Sequence, residues 1–303
     1  YTNLPIYQST NIPIYQYTSI PMYPHTKMAL YPGCLVLQRM PAYERASRAV
    51  LQAIDIGLEI VQQPVCCGAP VAESFSTDWI YLAAYNLARV EQTGHDTVVT
   101  LCGSCTNALV RAGRALQADD VRAEANRRLA RWGLSITGPV AVKHLVRLLV
   151  EREDDLRARI VRPLSFRVAL TNPCQIFRPG DLMGVAGEDP MAPRAMRRLV
   201  ELTGAEVLEY GGEDECCGAT LYLAAPKLSL ALGRRKLEAT HGEKADLMLQ
   251  GCGNSQLLLR RFQRAIVRDD PALRQKALLL PQLIGLAMGL PAGELGLREA
   301  HAP

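Results

Sequence analysis

The stretch DTVVTLCGSCTNALVRAGRAL, residues 96–116, decides how this chain folds. Residues 96–101 are mostly apolar or β-branched, the composition of a short buried strand. From Cys105 to Leu116 small and apolar residues recur at helical spacing around Arg111 and Arg114. Cys102-Gly103-Ser104-Cys105 therefore sits where a strand turns into a helix.

Working outward, residues 79–92 show helical periodicity and LEIV at 58–61 reads as a strand. Strand-like ALYPG at 29–33 precedes Cys34. The same order recurs downstream: a strand at 168–170, a helix at 192–202 and a strand at 206–210. A long helix at 221–239, a strand at 246–249 and a helix at 256–266 follow. Alternating strands and helices imply parallel α/β units. Residues 119–163 are rich in Arg and Glu and read as connecting helices on the surface. The expected fold is two pseudo-symmetric α/β domains, each with a short parallel sheet flanked by helices. They span 28–163 and 164–303 and meet face to face with their cysteine sites near the interface.

The recurrence is an internal repeat. Cys66, Cys67 and Cys102 each have a cysteine 150 positions later: Cys216, Cys217 and Cys252. Gly68, Ala69, Asp96 and Gly103 match Gly218, Ala219, Asp246 and Gly253. Cys34 pairs with Cys174 at an offset of 140. Cys105 has no counterpart, because Ser255 stands at its place.

Nine cysteines is an odd number, so disulfides cannot pair them all. With no export signal in view, the clusters read as metal-binding or catalytic, and the chain as soluble and cytoplasmic. The longest apolar stretch, 277–290, is broken by Pro281 and Gln282. It is too short for a bilayer span of about 20 residues and reads as a buried terminal helix. A net charge of +4 and few aromatic residues argue against nucleic acid. No G-x-G-x-x-G fingerprint or P-loop is present, so flavin, nicotinamide and nucleotide binding are not expected.

Residues 4–27 are one octapeptide written three times: LPIYQSTN, IPIYQYTS and IPMYPHTK. Recurring Pro opposes helix and sheet alike. Residues 1–27 are expected to be an extended or disordered tail. It reads as a mistaken start ahead of Met28; a functional tyrosine-rich tail is the alternative.

In an open parallel sheet the loops at the carboxyl ends of the strands lie together. Cys34, Cys66, Cys67, Cys102 and Cys105 follow three such strands and are expected to converge. Thiolates are soft ligands suited to iron–sulfur clusters and zinc. Five exceed the four of an ordinary cluster or a tetrahedral zinc. Adjacent cysteines do not readily serve one tetrahedral ion, but they can serve different irons or bridge two. Buried structural thiols and a thioredoxin-like Cys102–Cys105 dithiol are the competing readings. His95 and His241 read as surface turn residues and His144 as a packing residue on an amphipathic helix. Arg147, Arg152, Arg157, Arg159 and Arg162 read as a solvated face, with docking of an acidic partner as the alternative.

The spacing Cys34, 31 residues, Cys66-Cys67-Gly68, 33 residues, Cys102-x-x-Cys105 resembles the cysteine-rich CCG domain. Two tandem copies resemble the B subunit of heterodisulfide reductase and its bacterial relatives. YPGC at 31–34, LTGAEV at 202–207, ECCGA at 215–219 and LPQLIGLAMGL at 280–290 support the likeness, which covers 29–290. The resemblance implies a noncubane 4Fe-4S cluster on Cys34, Cys66, Cys67, Cys102 and Cys105, acting on a disulfide or dithiol. It implies a ferredoxin-like C subunit and a flavin-containing A subunit as partners. A small disulfide or a lipoate-bearing protein would be the substrate. The second motif, Cys174, Cys216, Cys217 and Cys252 with Ser255, departs from the family pattern. A second iron–sulfur cluster or zinc is expected there. An electron-relay subunit without its own substrate, or the cysteine-rich subunit of a lactate, glycolate or succinate oxidising complex, are the alternatives.

Overall fold

The computed structural model describes residues 28–72, 77–183 and 188–297. The octapeptide repeats lie outside the described residues. Two four-stranded sheets, every pair of neighbours parallel, form the frame. The first has the order β2-β1-β3-β4, with β1 Met28–Tyr31, β2 Glu59–Ile60, β3 Thr97–Thr100 and β4 Ala141–His144. The second repeats it as β6-β5-β7-β8, with β5 Arg167–Thr171, β6 Glu206–Val207, β7 Leu247–Gln250 and β8 Lys276–Leu279. The central strands are buried almost throughout, as sheets covered on both faces require. The two-domain α/β architecture with short parallel sheets is the one expected.

Two strands escaped the sequence reading, and they are equivalent. The segment read as surface connecting helices contains β4 and the helix Leu145–Glu151, whose Leu145, Val146, Leu148 and Leu149 are buried. The stretch read as one terminal helix is β8 followed by the helix Leu280–Ala287. Each strand runs straight into its helix with no polar turn between, so periodicity had no break to register. His144 accordingly ends β4 and caps the next helix, its Nδ1 accepting from the Val146 N–H at 3.2 Å. The long helix begins later than expected, as Pro226–Gly242, because Pro226 fixes its first turn. The helix read over 256–266 is split by a wider π turn at Leu257–Arg261. Arg147, Arg152, Arg157 and Arg159 pair with Glu151, Asp155, Glu153 and Asp55 at the surface.

The halves share one apolar core. Leu30, Tyr43, Leu51 and Leu149 from the first half pack in the same cluster as Leu170, Met196, Leu249 and Leu283 from the second. Separate outer clusters cover the far faces of each sheet. Helices Pro41–Ala53 and Leu280–Ala287 lie against each other across the junction. Tyr43, fully buried, donates its hydroxyl to the Gly251 carbonyl at 2.8 Å. The carboxyl ends of β3 and β7 thereby face each other.

Candidate thiol site

Cys102 is the last extended residue before helix Gly103–Ala115, and Cys252 holds the same place before Gly253–Gln256. Equivalent residues of the two repeats therefore meet. The Gly103 N–H points at the Cys252 sulfur, 3.4 Å away. Asn254 donates to the Ser104 hydroxyl at 2.8 Å, and Ser104 donates to Gln175, next to Cys174, at 2.5 Å.

The five cysteines of the first motif come together, as a row rather than a ring. Cys34 contacts Cys66, Cys66 contacts Cys67, Cys67 contacts Cys105, and Cys105 contacts Cys102. Cys102 also contacts Cys252, so the row has six sulfurs and ends in the second repeat. It runs from exposed Cys34 to fully interior Cys252. All nine cysteines are free thiols. Among the described residues no three His, Cys, Asp or Glu side chains close around one point as a single-ion shell.

Two sulfurs of the row, Cys66 and Cys102, are lowered, while Cys34, Cys67, Cys105 and Cys252 are raised. The Cys34 and Cys67 thiols donate to Cys66 and, with the Gly68 N–H, hold it down to about 2. Donation to Cys66 and burial push Cys34 up. Cys67 accepts from Cys105, which lowers it, but donation to Cys66 and burial prevail and raise it to about 12. Cys102 is held low by Cys105, by Cys252 and by the N–H groups of Cys105 and Ser104 that open the helix. Cys66 and Cys102 are thus the sulfurs of the row that ionise most readily. Tyr31 lies beside them, its hydroxyl donating to the Val65 carbonyl at 2.7 Å. Burial, then the nearby cysteines, keep that phenol protonated.

Glycines leave room for the sulfurs. A Cβ on Gly33, at φ +79°, would lie 2.9 Å from the Cys105 sulfur. Gly68 has φ +86°, and a Cβ there would meet the Trp79 carbonyl oxygen at 2.7 Å. Gly218 repeats this, at φ +85° and 2.8 Å from the Ser229 carbonyl oxygen. Only glycine serves at such a conformation and approach. The turn exposes the Gly68 N–H to the Cys66 sulfur at 3.5 Å and the Gly218 N–H to Cys216 at 3.3 Å.

The second motif gathers Cys174, Cys216 and Cys217, with Ser255 Oγ 3.3 Å from the Cys217 sulfur. Cys174 is raised to about 11 by burial and by Cys217 and Cys216, with Arg178 opposing. Cys252 stands apart from this group, turned toward Cys102. Lys236, 1% exposed, donates to the Gly212 carbonyl beside Cys216 and Cys217. Burial lowers it, against the pull of Cys217, Glu215 and Asp214. Its counterpart in the first repeat is Asn86, which accepts from the Val65 N–H at 3.0 Å and donates to the Cys66 carbonyl at 3.4 Å. Sequence reading missed Tyr31, Ser104, Asn254 and Lys236. The 150-residue offset pairs Ser104 with Asn254 and Asn86 with Lys236, and was the signal available for three of them.

A duplicated α/β frame that brings sulfurs to its central strand ends defines a tandem thiol-site protein. The cysteine-rich domain model matches residues 28–110 and 168–260. The chain belongs to that cysteine-rich family, in the tandem form that includes the heterodisulfide reductase B subunits. It is 29% identical over 275 residues to the B subunit of the ferredoxin/F420H2-dependent CoB-CoM heterodisulfide reductase of Methanosarcina acetivorans, covering 88% of this chain and 91% of that one. It is 27% identical over 270 residues to the 8-methylmenaquinol:fumarate reductase membrane anchor subunit of Wolinella succinogenes, covering 88% and 94%. A Helicobacter pylori hypothetical protein of known structure shares the fold, with a TM-score of 0.71 at 15% identity. That match covers 89% of this chain, which spans half of the solved chain. Among the described residues no helix is long and apolar enough to cross a membrane.

Proposed function

We propose that this chain is the iron–sulfur subunit of a heterodisulfide reductase-like complex, exchanging two electrons with a disulfide or dithiol at the first thiol site. The observation that carries it is the row from Cys34 to Cys102, five cysteines from three strand ends in continuous contact. The donors fit an iron–sulfur group: soft sulfurs, two of them shifted toward the thiolate, with glycine N–H groups aimed at the row. A row spans several irons, whereas a single ion needs its ligands to close around it. The group assigned to Cys34, Cys66, Cys67, Cys102 and Cys105 is a noncubane 4Fe-4S cluster. The relatives named as parts of reductases support an oxidoreductase role within a complex.

Reducing a disulfide breaks the S–S bond with two electrons, and each sulfur leaves as a thiol after taking a proton. The bound cluster supplies one-electron steps and a sulfur-binding iron. The protein does the rest. Cys34 opens the row to solvent, so a substrate sulfur enters at that end. Buried Cys67, Cys102 and Cys105 keep water from the other end. Tyr31, fixed on the Val65 carbonyl, holds its proton beside the row.

On this reading 28–163 and 164–303 are the two units, outside which 1–27 is a tail. Electrons pass to a ferredoxin-like C subunit and a flavin-containing A subunit, and a small disulfide or lipoate-bearing protein is the substrate, in the cytoplasm. The second site, with Cys174, Cys216, Cys217, Cys252 and Ser255, takes an iron–sulfur cluster or zinc. Anaerobic purification should give a brown protein with about four irons and about four acid-labile sulfides at the first site. Colourless protein with stoichiometric zinc and no labile sulfide would overturn the proposal.

A further inference from the structure

A cleft of about 800 Å³ opens beside β4, between helix Gly103–Ala115 and the segment that carries Ile176 and Met183 from the second repeat. It lies at the junction of the two halves, where ligand sites are common. Its walls are apolar, with Leu109, Val142, Ile176 and Met183. Its charged lining is Arg114, Arg122, Lys143 and Arg147. Among the described residues no aspartate, glutamate or cysteine lines it.

The cations are only partly neutralised. Arg122 pairs with Asp119. Lys143 and Arg147 share Glu151. Arg114 is exposed and pairs with no carboxylate among the described residues. Four cations therefore meet two carboxylates, and both carboxylates stand outside the cleft.

His144 and Thr106 close the inner end. His144 lines it and is 1% exposed. Its Nδ1 accepts from the Val146 N–H, so Nε2 carries the ring proton. That N–H turns toward the Leu101 carbonyl and Cys102, at the end of β3. Thr106 lines the cleft too, its hydroxyl donating to the Cys102 carbonyl at 3.0 Å and touching the Thr100 hydroxyl at 2.6 Å.

We propose that this cleft binds a small organic anion with an aliphatic body. The head group is held among Arg114, Arg122 and Arg147, and the body lies on Leu109, Val142, Ile176 and Met183. This ligand is distinct from the sulfur compound that reacts at the thiols, since no cysteine faces the cleft. It rests one helical turn behind Cys102, against the two side chains that back that residue. The inference goes beyond the proposed function and does not depend on which metal the thiols hold.

The test is calorimetric titration of the full chain with sodium octanoate, octyl phosphate and 1-octanol. At least one anion should bind at a single site, more weakly as salt is added, and octanol should not bind. The two anions distinguish a carboxylate from a phosphate head group. Arg114→Ala combined with Arg147→Ala should weaken binding about tenfold, equivalent to about 1.4 kcal/mol. Arg122→Ala is an independent second variant and should weaken it in the same direction. In metal-free protein, iodoacetamide labelling of Cys34 should be unchanged by the bound anion. Failure of both anions to bind, equal binding of octanol, indifference to the substitutions, or protection of Cys34 would each overturn the proposal. Heat and alkylation are read separately from the iron and sulfide content that tests the function.

Discussion

The two thiol sites share a frame and differ in their surroundings. Around Cys66 and Cys67 the first repeat places Val65, Trp79 and Leu82, with neutral Asn86 bracing the loop. At equivalent positions the second repeat has Glu215 and Ser229 and keeps a leucine, Leu232, with Lys236 buried where Asn86 stood. Cavities flank both loops. That of about 520 Å³ beside Val65 is aromatic, with Trp79, Tyr81, Tyr85 and Trp132. That of about 640 Å³ beside Cys216 is charged, with Arg178, Glu213, Asp214, Glu215 and Arg235. Strand order, the two left-handed glycines and the cysteine pair were kept after duplication, while the donor set and its electrostatics diverged. The frame tolerates only one answer at those positions; the surroundings tolerate several.

The largest effect expected from this comparison is on metal content. Cys105→Ser gives the first motif the form of the second and should remove most of the iron from the first site. Ser255→Cys should raise iron in the second half. Iron and zinc analysis of anaerobically purified variants reads both. Unchanged content in both would break the equivalence between Cys105 and Ser255.

Next comes the shared turn. Gly68→Ala and Gly218→Ala each force a Cβ into a left-handed conformation against a backbone oxygen. Each should cost about 3 kcal/mol. Denaturant unfolding of the metal-free full chain measures this, and a pair differing by more than twofold would mean that the turns are not equivalent.

The smallest effect sharpens the difference between the repeats. Asn86→Ala leaves the Val65 N–H and the Cys66 carbonyl without their side-chain partner and should cost about 2 kcal/mol. Lys236→Met removes a buried cation together with its desolvation cost, so it should change stability by less than about 1 kcal/mol. Equal losses in the same unfolding experiment would show that Lys236 braces its loop as Asn86 does.

Most of the frame was legible in the sequence because strands such as TVVT end abruptly at Cys102 or Cys252, and the repeat pointed to the same ends twice. β4 and β8 were not legible. AVKH runs into LVRLLV and KALL into LPQLIGLA with no turn at the boundary, so only pairing with β3 and β7 separates strand from helix. The first-site cysteines were legible from spacing and strand ends. The placement of Cys252 against Cys102 was not, because it depends on how two sheets face each other through a shared core. Lys236 was hidden for a related reason. A lysine on a helix reads as solvent-facing until tertiary packing covers it.

The meeting of Ser104 with Asn254 has a consequence for how such a molecule can change. Like touching like is the geometry of a two-fold dimer, in which one residue choice must serve both ends of every contact. Joining the copies in a single polypeptide lifts that constraint. A hydroxyl that passes its proton to Gln175 can face an amide that donates back to it, an arrangement closed to two identical chains. Each end of the junction is then free to vary without its twin.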